Sequence, residues 1–143
     1  MDKLNSFNTN RFLDGQRFGY DCALAEIRSG QKVNHWIWYV FPQLSGLGHS
    51  PNSKYYGIDG VWEAKAYLNH PVLGFRIREI SAALLEHANK DIETIIHGID
   101  VIKLKSSMTL FDYICPNDIF AQVLNTFYRG ERDQLTLSML REL

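Results

Sequence analysis

Lys103 and Ser107 stand four residues apart in a stretch with helical spacing, and they are the first candidates for chemistry. Residues one helical turn apart share a face, so this pair would offer a cation and a hydroxyl to one ligand. The structural alternative is a serine that bonds back to the carbonyl oxygen four residues earlier. His35 is the third candidate, because an imidazole titrates near neutral pH and can act as a general base. A histidine that only makes structural hydrogen bonds is the alternative there. We predict catalytic roles for all three.

The segment 33–62 contains all three tryptophans of the chain and only two charged residues, Lys54 and Asp59. Its aromatic character suits the wall of a pocket, on which Trp36 or Trp38 would stack a flat ring. The alternative is that residues 35–41 form a buried helix or strand, since large aromatic side chains are usually buried. Both hold if one face of the segment packs and the other lines a cleft.

A loop rich in glycine and serine, 43–53, follows the aromatic run. Its backbone N–H groups could bind an anion such as phosphate. Ser50 is expected to cap a helix that has Pro51 at its first position. The alternative is an ordinary capped turn, because the loop lacks a recognised phosphate-binding motif.

Helical spacing predicts the elements that must position these residues. The predicted helix starts are near Asn8–Asn10, Ser50, Val61, Pro71, Asp91, Asp100, Asn117 and Asp133. The first helix should end at Gly30, and Gly15 and Gly19 within it predict close packing against another backbone. The helix from Pro71 should reach Ala88. We expect an all-α fold: a compact single-domain bundle of about six to eight helices over residues 1–143, with an aromatic-rich irregular segment.

The overall composition narrows the class of protein. The chain has 143 residues, 45% of them hydrophobic, with a formal net charge of −1. We expect no nucleic-acid partner, because no basic stripe is present, and no membrane partner, because no apolar run is long enough to span one. Two distant cysteines and the absence of a signal-peptide pattern predict a cytoplasmic protein with reduced thiols. The histidines do not form a local metal pattern, and we expect no metal or cofactor.

Several motifs are specific enough to carry a resemblance. They are Arg11-Phe12-Leu13 with Gln16, the run His35 to Gln43, Gly46-Leu47-Gly48 with Ser50 and Ser53, Tyr55-Tyr56-Gly57-Ile58, Glu63-Ala64, and Lys103-Leu104 with Ser106 to Phe111. Over nearly its whole length the chain resembles the domain of unknown function 1810 family, with Gly15 and Ile37 as minor departures. The resemblance implies a mainly helical single domain and no established activity. It strengthens the case for a ligand-binding site. The predicted binding residues are Arg11, Gln16, Trp36, Trp38, Gln43, Gly46, Gly48, Ser50 and Ser53.

Two classes of function remain open from the sequence. The first is binding or hydrolysis of a small nucleotide-like ligand in a pocket lined by aromatic, serine and lysine side chains. A narrower version is loosely similar to small helical N-glycosidases, with Trp62-Glu63 as the candidate acidic site. The alternative is a non-enzymatic protein-interaction module, or a homodimer, that uses the aromatic segment. The sequence does not decide whether the protein is an enzyme, and the oligomeric state is open as well.

Overall fold

The computed structural model describes residues 7–142, and these residues form nine α-helices. The helices are α1 Asn10–Ser29, α2 Ile37–Val40, α3 Pro51–Tyr55, α4 Val61–Asn69, α5 Leu73–Leu85, α6 Ile92–Ile95, α7 Ile99–Ile114, α8 Ile119–Phe127 and α9 Gln134–Glu142. The all-α prediction is confirmed. The count exceeds the expected six to eight because the aromatic segment, which could have been helix or strand, forms the short helix α2.

The first helix follows the sequence pattern closely. Its buried residues, from Phe12 to Ile27, recur at helical spacing. It ends at Gly30, whose φ of 89° is left-handed and whose N–H bonds to the carbonyl oxygens of Glu26 and Ile27. Glycine adopts this conformation without strain, so the predicted end of the helix is confirmed.

Gly15 and Gly19 have a different neighbour from the one predicted. A Cβ atom at Gly15 would lie 2.8 Å from Cγ of Tyr39, and one at Gly19 would overlap the Tyr39 hydroxyl. The two glycines therefore make room for an aromatic ring rather than for a second backbone. The ring of Tyr39 holds α2 against α1.

Helices α5 and α7 form the centre of the packing. α7 contacts α2, α4, α8 and α9, whereas α5 contacts α1, α4 and α8. On α7, Leu104, Met108 and Phe111 are fully buried, as the helical spacing predicts. The core takes in side chains from every helix except α3. Since α2 packs on α7, the aromatic segment lies beside the Lys103–Ser107 stretch.

Local hydrogen bonds decide where the shorter helices begin. Asp91 caps α6 by accepting from Glu93 N–H, and Asp133 accepts from Thr136 N–H at the start of α9, so both predicted caps are confirmed. The predicted cap at Asp100 is wrong. The helix begins at Ile99, with Gly98 rather than Asp100 in the N-cap position, and the Asp100 carboxylate instead lies 2.8 Å from the Lys32 ammonium.

Two other predicted helix ends are displaced. Asn117 does not cap α8: it has a positive φ of 62°, and the next residue, Asp118, accepts from Ile119 N–H. Helix α5 ends at Leu85, so Ala88 lies beyond it and is exposed. Both differences concern turn geometry, which side-chain spacing does not specify.

The segment between α2 and α4 folds back on itself through one isolated bridge. Ser45 N–H donates to Ile58 O at 2.8 Å, and Ile58 N–H donates to Gln43 O at 2.9 Å. This bridge closes a loop that contains α3 and holds Gln43 in place. In the part of the chain from 7 to 142, no helix combines the length and hydropathy needed to cross a membrane.

Candidate functional site

Trp36 and Trp38, at the start of α2, have opposite environments. Trp36 is 1% exposed, and its indole N–H donates to Glu26 Oε1 at 2.9 Å. Trp38 is half-buried, and its indole nitrogen is buried without any hydrogen-bond acceptor among residues 7–142. A buried polar group without a partner is costly and uncommon in native structures. Of these two tryptophans, Trp38 is therefore the one whose indole N–H has no hydrogen-bond acceptor.

Trp38 lines a small cavity that we call the Trp38–Lys103 cavity. Its lining residues are Ile37, Trp38, Phe41, Gln43, Ser53, Tyr56 and Lys103. Four of these, Trp38, Gln43, Ser53 and Lys103, are among the residues that the sequence predicts for a site. The cavity has a volume of about 10 Å³, which is room for about one water molecule.

Lys103 supplies the charge of this cavity. Its Nζ lies 5.2 Å from the centre of the Trp38 ring, within the range of a cation–π contact. Among the described residues, no carboxylate oxygen lies within 4.0 Å of that ammonium, and it makes no hydrogen bond. The residue is half-buried, and none of the described carboxylates neutralises its charge.

The glycine–serine loop holds Ser53 at the cavity. Ser50 caps α3 by accepting from Ser53 N–H at 3.1 Å, and its hydroxyl donates to Ser53 Oγ at 3.0 Å. Pro51 occupies the first turn of α3, so the predicted cap is confirmed. A Cβ atom at Gly48 would overlap the Ser53 side chain and lie 3.2 Å from Nε2 of Gln43. Gly48 thus allows the loop to close over these two polar side chains.

The remaining polar group of the lining is the Tyr56 hydroxyl. Burial raises the pKa of Tyr56, and the neighbouring Tyr55 and Asp14 raise it further. The phenol therefore stays protonated at neutral pH and can donate a hydrogen bond. Sequence analysis named Tyr56 within the Tyr55-Tyr56-Gly57-Ile58 motif but did not predict it as a binding residue, because nothing local distinguishes it from Tyr55.

A second space, which we call the apolar groove, adjoins the cavity. It has a volume of about 140 Å³ and is lined by Gln43, Leu47, Gly48, Ile99, Ile102, Lys103, Ser106, Asp133 and Leu135. Gln43 and Lys103 line both spaces, so the cavity and the groove share part of their walls. Ile99, Ile102 and Leu135 are each about three-fifths exposed or more.

A larger depression lies elsewhere on the surface. It has a volume of about 760 Å³, and its lining residues are Phe7, Asp59, Gly60, Val61, Trp62, Tyr113, Leu140 and Arg141. Within residues 7–142, two buried polar side-chain atoms lack a partner, Trp38 Nε1 and Ser107 Oγ, and neither belongs to a residue of this lining. For that reason we place the candidate site at the Trp38–Lys103 cavity.

Arg11 lies outside the cavity and makes structural contacts. Its guanidinium forms two hydrogen bonds of 2.9 Å to the Glu63 carboxylate and also donates to the carbonyl oxygens of Tyr55 and Gly57. Glu63, the acidic candidate next to Trp62, is 3% exposed and also accepts from Asp59 N–H. These contacts tie α1, α3 and α4 together and leave both Glu63 oxygens occupied.

Gln16 is likewise part of the packing. It is 2% exposed, and its amide donates to Tyr39 O at 2.7 Å and to the Tyr67 hydroxyl at 3.1 Å. Its amide oxygen accepts from Arg76. Every polar atom of the Gln16 side chain is therefore engaged within the protein, and its proposed role in binding stays a prediction.

Three other predicted residues lie near the site without lining the cavity. His35 is exposed just before α2. Gly46 has a left-handed φ of 98° and lies against the Met139 methyl group. Ser107 is fully buried, and its Oγ makes no bond to Lys103 O or to any other described residue. The back-bonding alternative is thus wrong for Ser107, although the neighbouring Ser106 does bond to Ile102 O.

Sequence analysis missed Glu26, which organises the chain before α2. Its carboxylate accepts from the N–H groups of Val33 and Asn34 and from the indole of Trp36. Burial by itself raises the pKa of Glu26, but these hydrogen bonds outweigh it and lower the pKa to about 2. No local motif marks Glu26, because its partners follow seven or more residues later.

Lys32 completes the surroundings of Trp36. Its Nζ lies 4.9 Å from the centre of the Trp36 ring, 2.8 Å from Asp100 and within hydrogen-bond distance of Asn34 O. The Lys32 charge is thus neutralised inside the protein. No group of three or more histidine, cysteine or acidic side chains that could hold a metal occurs within residues 7–142.

The structure and sequence are similar to those of a solved protein. The crystal structure of the conserved hypothetical protein Rv1873 from Mycobacterium tuberculosis at 1.38 Å matches with 40% sequence identity and a TM-score of 0.92. The match covers 94% of this chain and 97% of that one. No curated protein matches the chain. The model of the family described as protein of unknown function (DUF1810) matches residues 6–140, and the chain therefore belongs to that family.

Proposed function

We propose that the protein binds a small organic anion in the Trp38–Lys103 cavity, with the anionic group of the ligand beside the Lys103 ammonium. One observation carries the proposal: Lys103 is a half-buried cation with no carboxylate partner among the described residues. A bound anion would neutralise this charge, and a charge-assisted hydrogen bond in a partly buried site is stronger than one in water.

The uncharged groups of the lining suit the same ligand. The Gln43 amide makes no side-chain hydrogen bond within residues 7–142, and the Tyr56 phenol is a donor at neutral pH. Trp38 adds an indole N–H that has no acceptor and a ring face. Together these groups resemble a ligand site with a few polar groups set in an apolar wall.

Binding without turnover fits this lining better than hydrolysis. The lining of the cavity includes no histidine and no carboxylate of the described chain that could act as a general base on a ligand held there. His35 is exposed before α2, and the catalytic roles of His35, Lys103 and Ser107 stay predictions.

The volumes of the cavity and the groove determine which anions are the first candidates for the ligand. The cavity and the groove hold about 10 and 140 Å³, below the range of about 300–1,000 Å³ typical of pockets for larger ligands. A single-ring or short-chain anion fits this space. A nucleotide-like ligand, the class that the sequence predicts, would require the cavity to widen.

A thermal-shift and calorimetric panel tests the proposal. It contains phosphate, acetate, benzoate, adenosine monophosphate and ADP-ribose. A ligand at about a hundred times its dissociation constant should stabilise the protein by about 2.7 kcal/mol, which raises the melting temperature by several degrees.

Matched variants identify the site. Lys103→Met should weaken the bound anion about tenfold or more. Lys105→Met is the control, because Lys105 lies on the same helix but pairs with Glu131 at 3.5 Å. Equal affinity in wild type and Lys103→Met would contradict the proposal, as would a panel in which no anion binds.

A further inference from the structure

We infer that the ligand is an amphiphile with a single anionic head group, which lies at Lys103, and an apolar part that lies in the apolar groove. This inference rests on the proposed function and specifies the class of ligand. It starts from the shared lining of the two spaces, since Gln43 and Lys103 line both of them. A molecule whose head contacts Lys103 can therefore extend into the groove without leaving the site.

The groove offers apolar surface that the fold leaves uncovered. Ile99 is 67% exposed, Ile102 is 60% exposed and Leu135 is 59% exposed. They come from two helices, α7 and α9, and line one space together with Leu47. Covering such side chains with an apolar group removes apolar surface from water, which is favourable in proportion to the area covered.

Asp133 places a negative charge in the groove, and this charge limits the ligand to one anionic group. It lines the same groove, and its Oδ2 accepts from Ser106 Oγ at 3.2 Å and from Thr136 N–H at 3.0 Å. These bonds hold a negative charge in the groove. A second anionic group on the ligand would be repelled there, so the groove accepts an uncharged apolar tail.

Space limits the length of that tail. The groove of about 140 Å³ admits a short alkyl chain or one ring rather than a long acyl chain. The anionic head can be a carboxylate or a phosphate ester, because Lys103 binds either as a point charge.

A homologous series of monocarboxylates tests the inference. Acetate, butyrate, hexanoate and octanoate are titrated into the full chain labelled with ¹⁵N, and affinity is followed by the indole resonance of Trp38, assigned with Trp38→Phe. Affinity should rise about two- to fourfold for each added methylene until the groove is filled. Suberate, which ends in a second carboxylate, should bind about tenfold more weakly than octanoate, and hexyl phosphate should compete with octanoate.

Substitutions at two exposed positions test the contribution of the ligand's apolar tail to affinity. Ile102→Ser should reduce the gain in affinity per added methylene, because it removes apolar surface from the groove. Phe75→Ser is the control, because Phe75 is 63% exposed on α5 and does not line the groove. Both positions are on the surface, and the melting temperature of each variant confirms that it is folded.

The outcomes distinguish this inference from the proposed function. If anions bind through Lys103 but affinity does not rise along the series, the amphiphile inference is wrong and the anion site remains. If the series binds equally well to Lys103→Met, or if suberate equals octanoate, the inference is wrong as well. If no anion binds at all, both fail.

Discussion

Two lysine–tryptophan pairs adjoin the start of α2, and they differ in how completely their polar groups are satisfied. Lys32 lies 4.9 Å from the Trp36 ring and Lys103 lies 5.2 Å from the Trp38 ring. In the first pair, Asp100 neutralises the lysine and Glu26 accepts the indole N–H. In the second pair, neither the lysine nor the indole has such a partner among the described residues.

We propose that the same two residue types serve stability in the first pair and binding in the second. A buried pair with every donor satisfied stabilises one arrangement of the chain. A pair with unmet donors and an unneutralised charge costs stability, and it can recover that cost when a ligand supplies the missing acceptors. The first pair is therefore expected to govern folding and the second to govern binding.

The largest expected difference is between the two lysines. Lys32→Met should lower the free energy of unfolding by about 3 kcal/mol, because it leaves Asp100 partly buried without its cation. Lys103→Met should change the free energy of unfolding by less than about 0.5 kcal/mol, since none of the described carboxylates is paired with Lys103 and would be left without its cation. Urea denaturation measures both. Equal losses in the two variants would mean that Lys103 has a structural role like that of Lys32.

The two tryptophans should differ in the same direction. Trp36→Phe should cost about 2 kcal/mol, because it removes a buried hydrogen bond to Glu26 and leaves a cavity in the core. Trp38→Phe should cost less than about 1 kcal/mol, because the indole N–H that it removes has no acceptor. The midpoints of urea unfolding curves compare the stabilities of the two variants. A larger loss of stability for Trp38→Phe than for Trp36→Phe would contradict the assignment of Trp36 to folding and Trp38 to binding.

Glu26 gives the first pair a dependence on pH. Hydrogen bonds outweigh the effect of burial and lower its pKa from 4.5 to about 2, so the carboxylate binds protons more weakly in the folded state than in the unfolded one. Its contribution is fully present above about pH 4.5 and is lost as the pH falls through about 2.

Unfolding followed between about pH 2 and pH 6 tests this contribution. Wild type should lose about 2 kcal/mol relative to Glu26→Gln over this range, after allowance for partial exposure. Glu86→Gln, at an exposed position after α5, should follow the wild-type profile. A Glu26→Gln profile parallel to wild type would show that other carboxylates cause the acid sensitivity.

The smallest expected effect compares two neighbouring serines of α7. Ser106 donates to Ile102 O and to Asp133, so Ser106→Ala should cost about 1 kcal/mol. Ser107 has a buried hydroxyl without a partner, so Ser107→Ala should leave stability unchanged or raise it by up to about 1 kcal/mol. Differential scanning calorimetry resolves the pair. A clear loss for Ser107→Ala would indicate a partner that stabilises this hydroxyl.

Local sequence signals were sufficient for most of the helices. The spacing of buried residues on α1 and α7, the left-handed glycine at Gly30 and the caps at Ser50 and Asp91 all act within a few residues of the chain. Interactions of this range are encoded by neighbouring residues, and pattern analysis detects them. The cap at Asp100 failed because a distant lysine, Lys32, determines where that carboxylate lies.

The candidate site was only partly predictable. The residue types and motifs placed Trp38, Gln43 and Ser53 on the list of binding residues and predicted a catalytic role for Lys103, and all four line the same cavity. The same list contained Arg11, Gln16 and Trp36, whose polar groups are satisfied by partners inside the protein. Their partners are Glu63, Tyr67 and Glu26 respectively, and they lie 10 to 52 positions away in the chain.

By itself, the sequence determined an all-α chain of the DUF1810 family, with an aromatic segment and a conspicuous lysine on α7. Only the tertiary structure decided which tryptophan is satisfied and which is not. The physical reason is that helix periodicity and capping depend on neighbours in sequence, whereas hydrogen-bond satisfaction and charge neutralisation depend on groups that folding brings together. Trp36 and Trp38 are two residues apart, yet Glu26 reaches one and Lys103 the other.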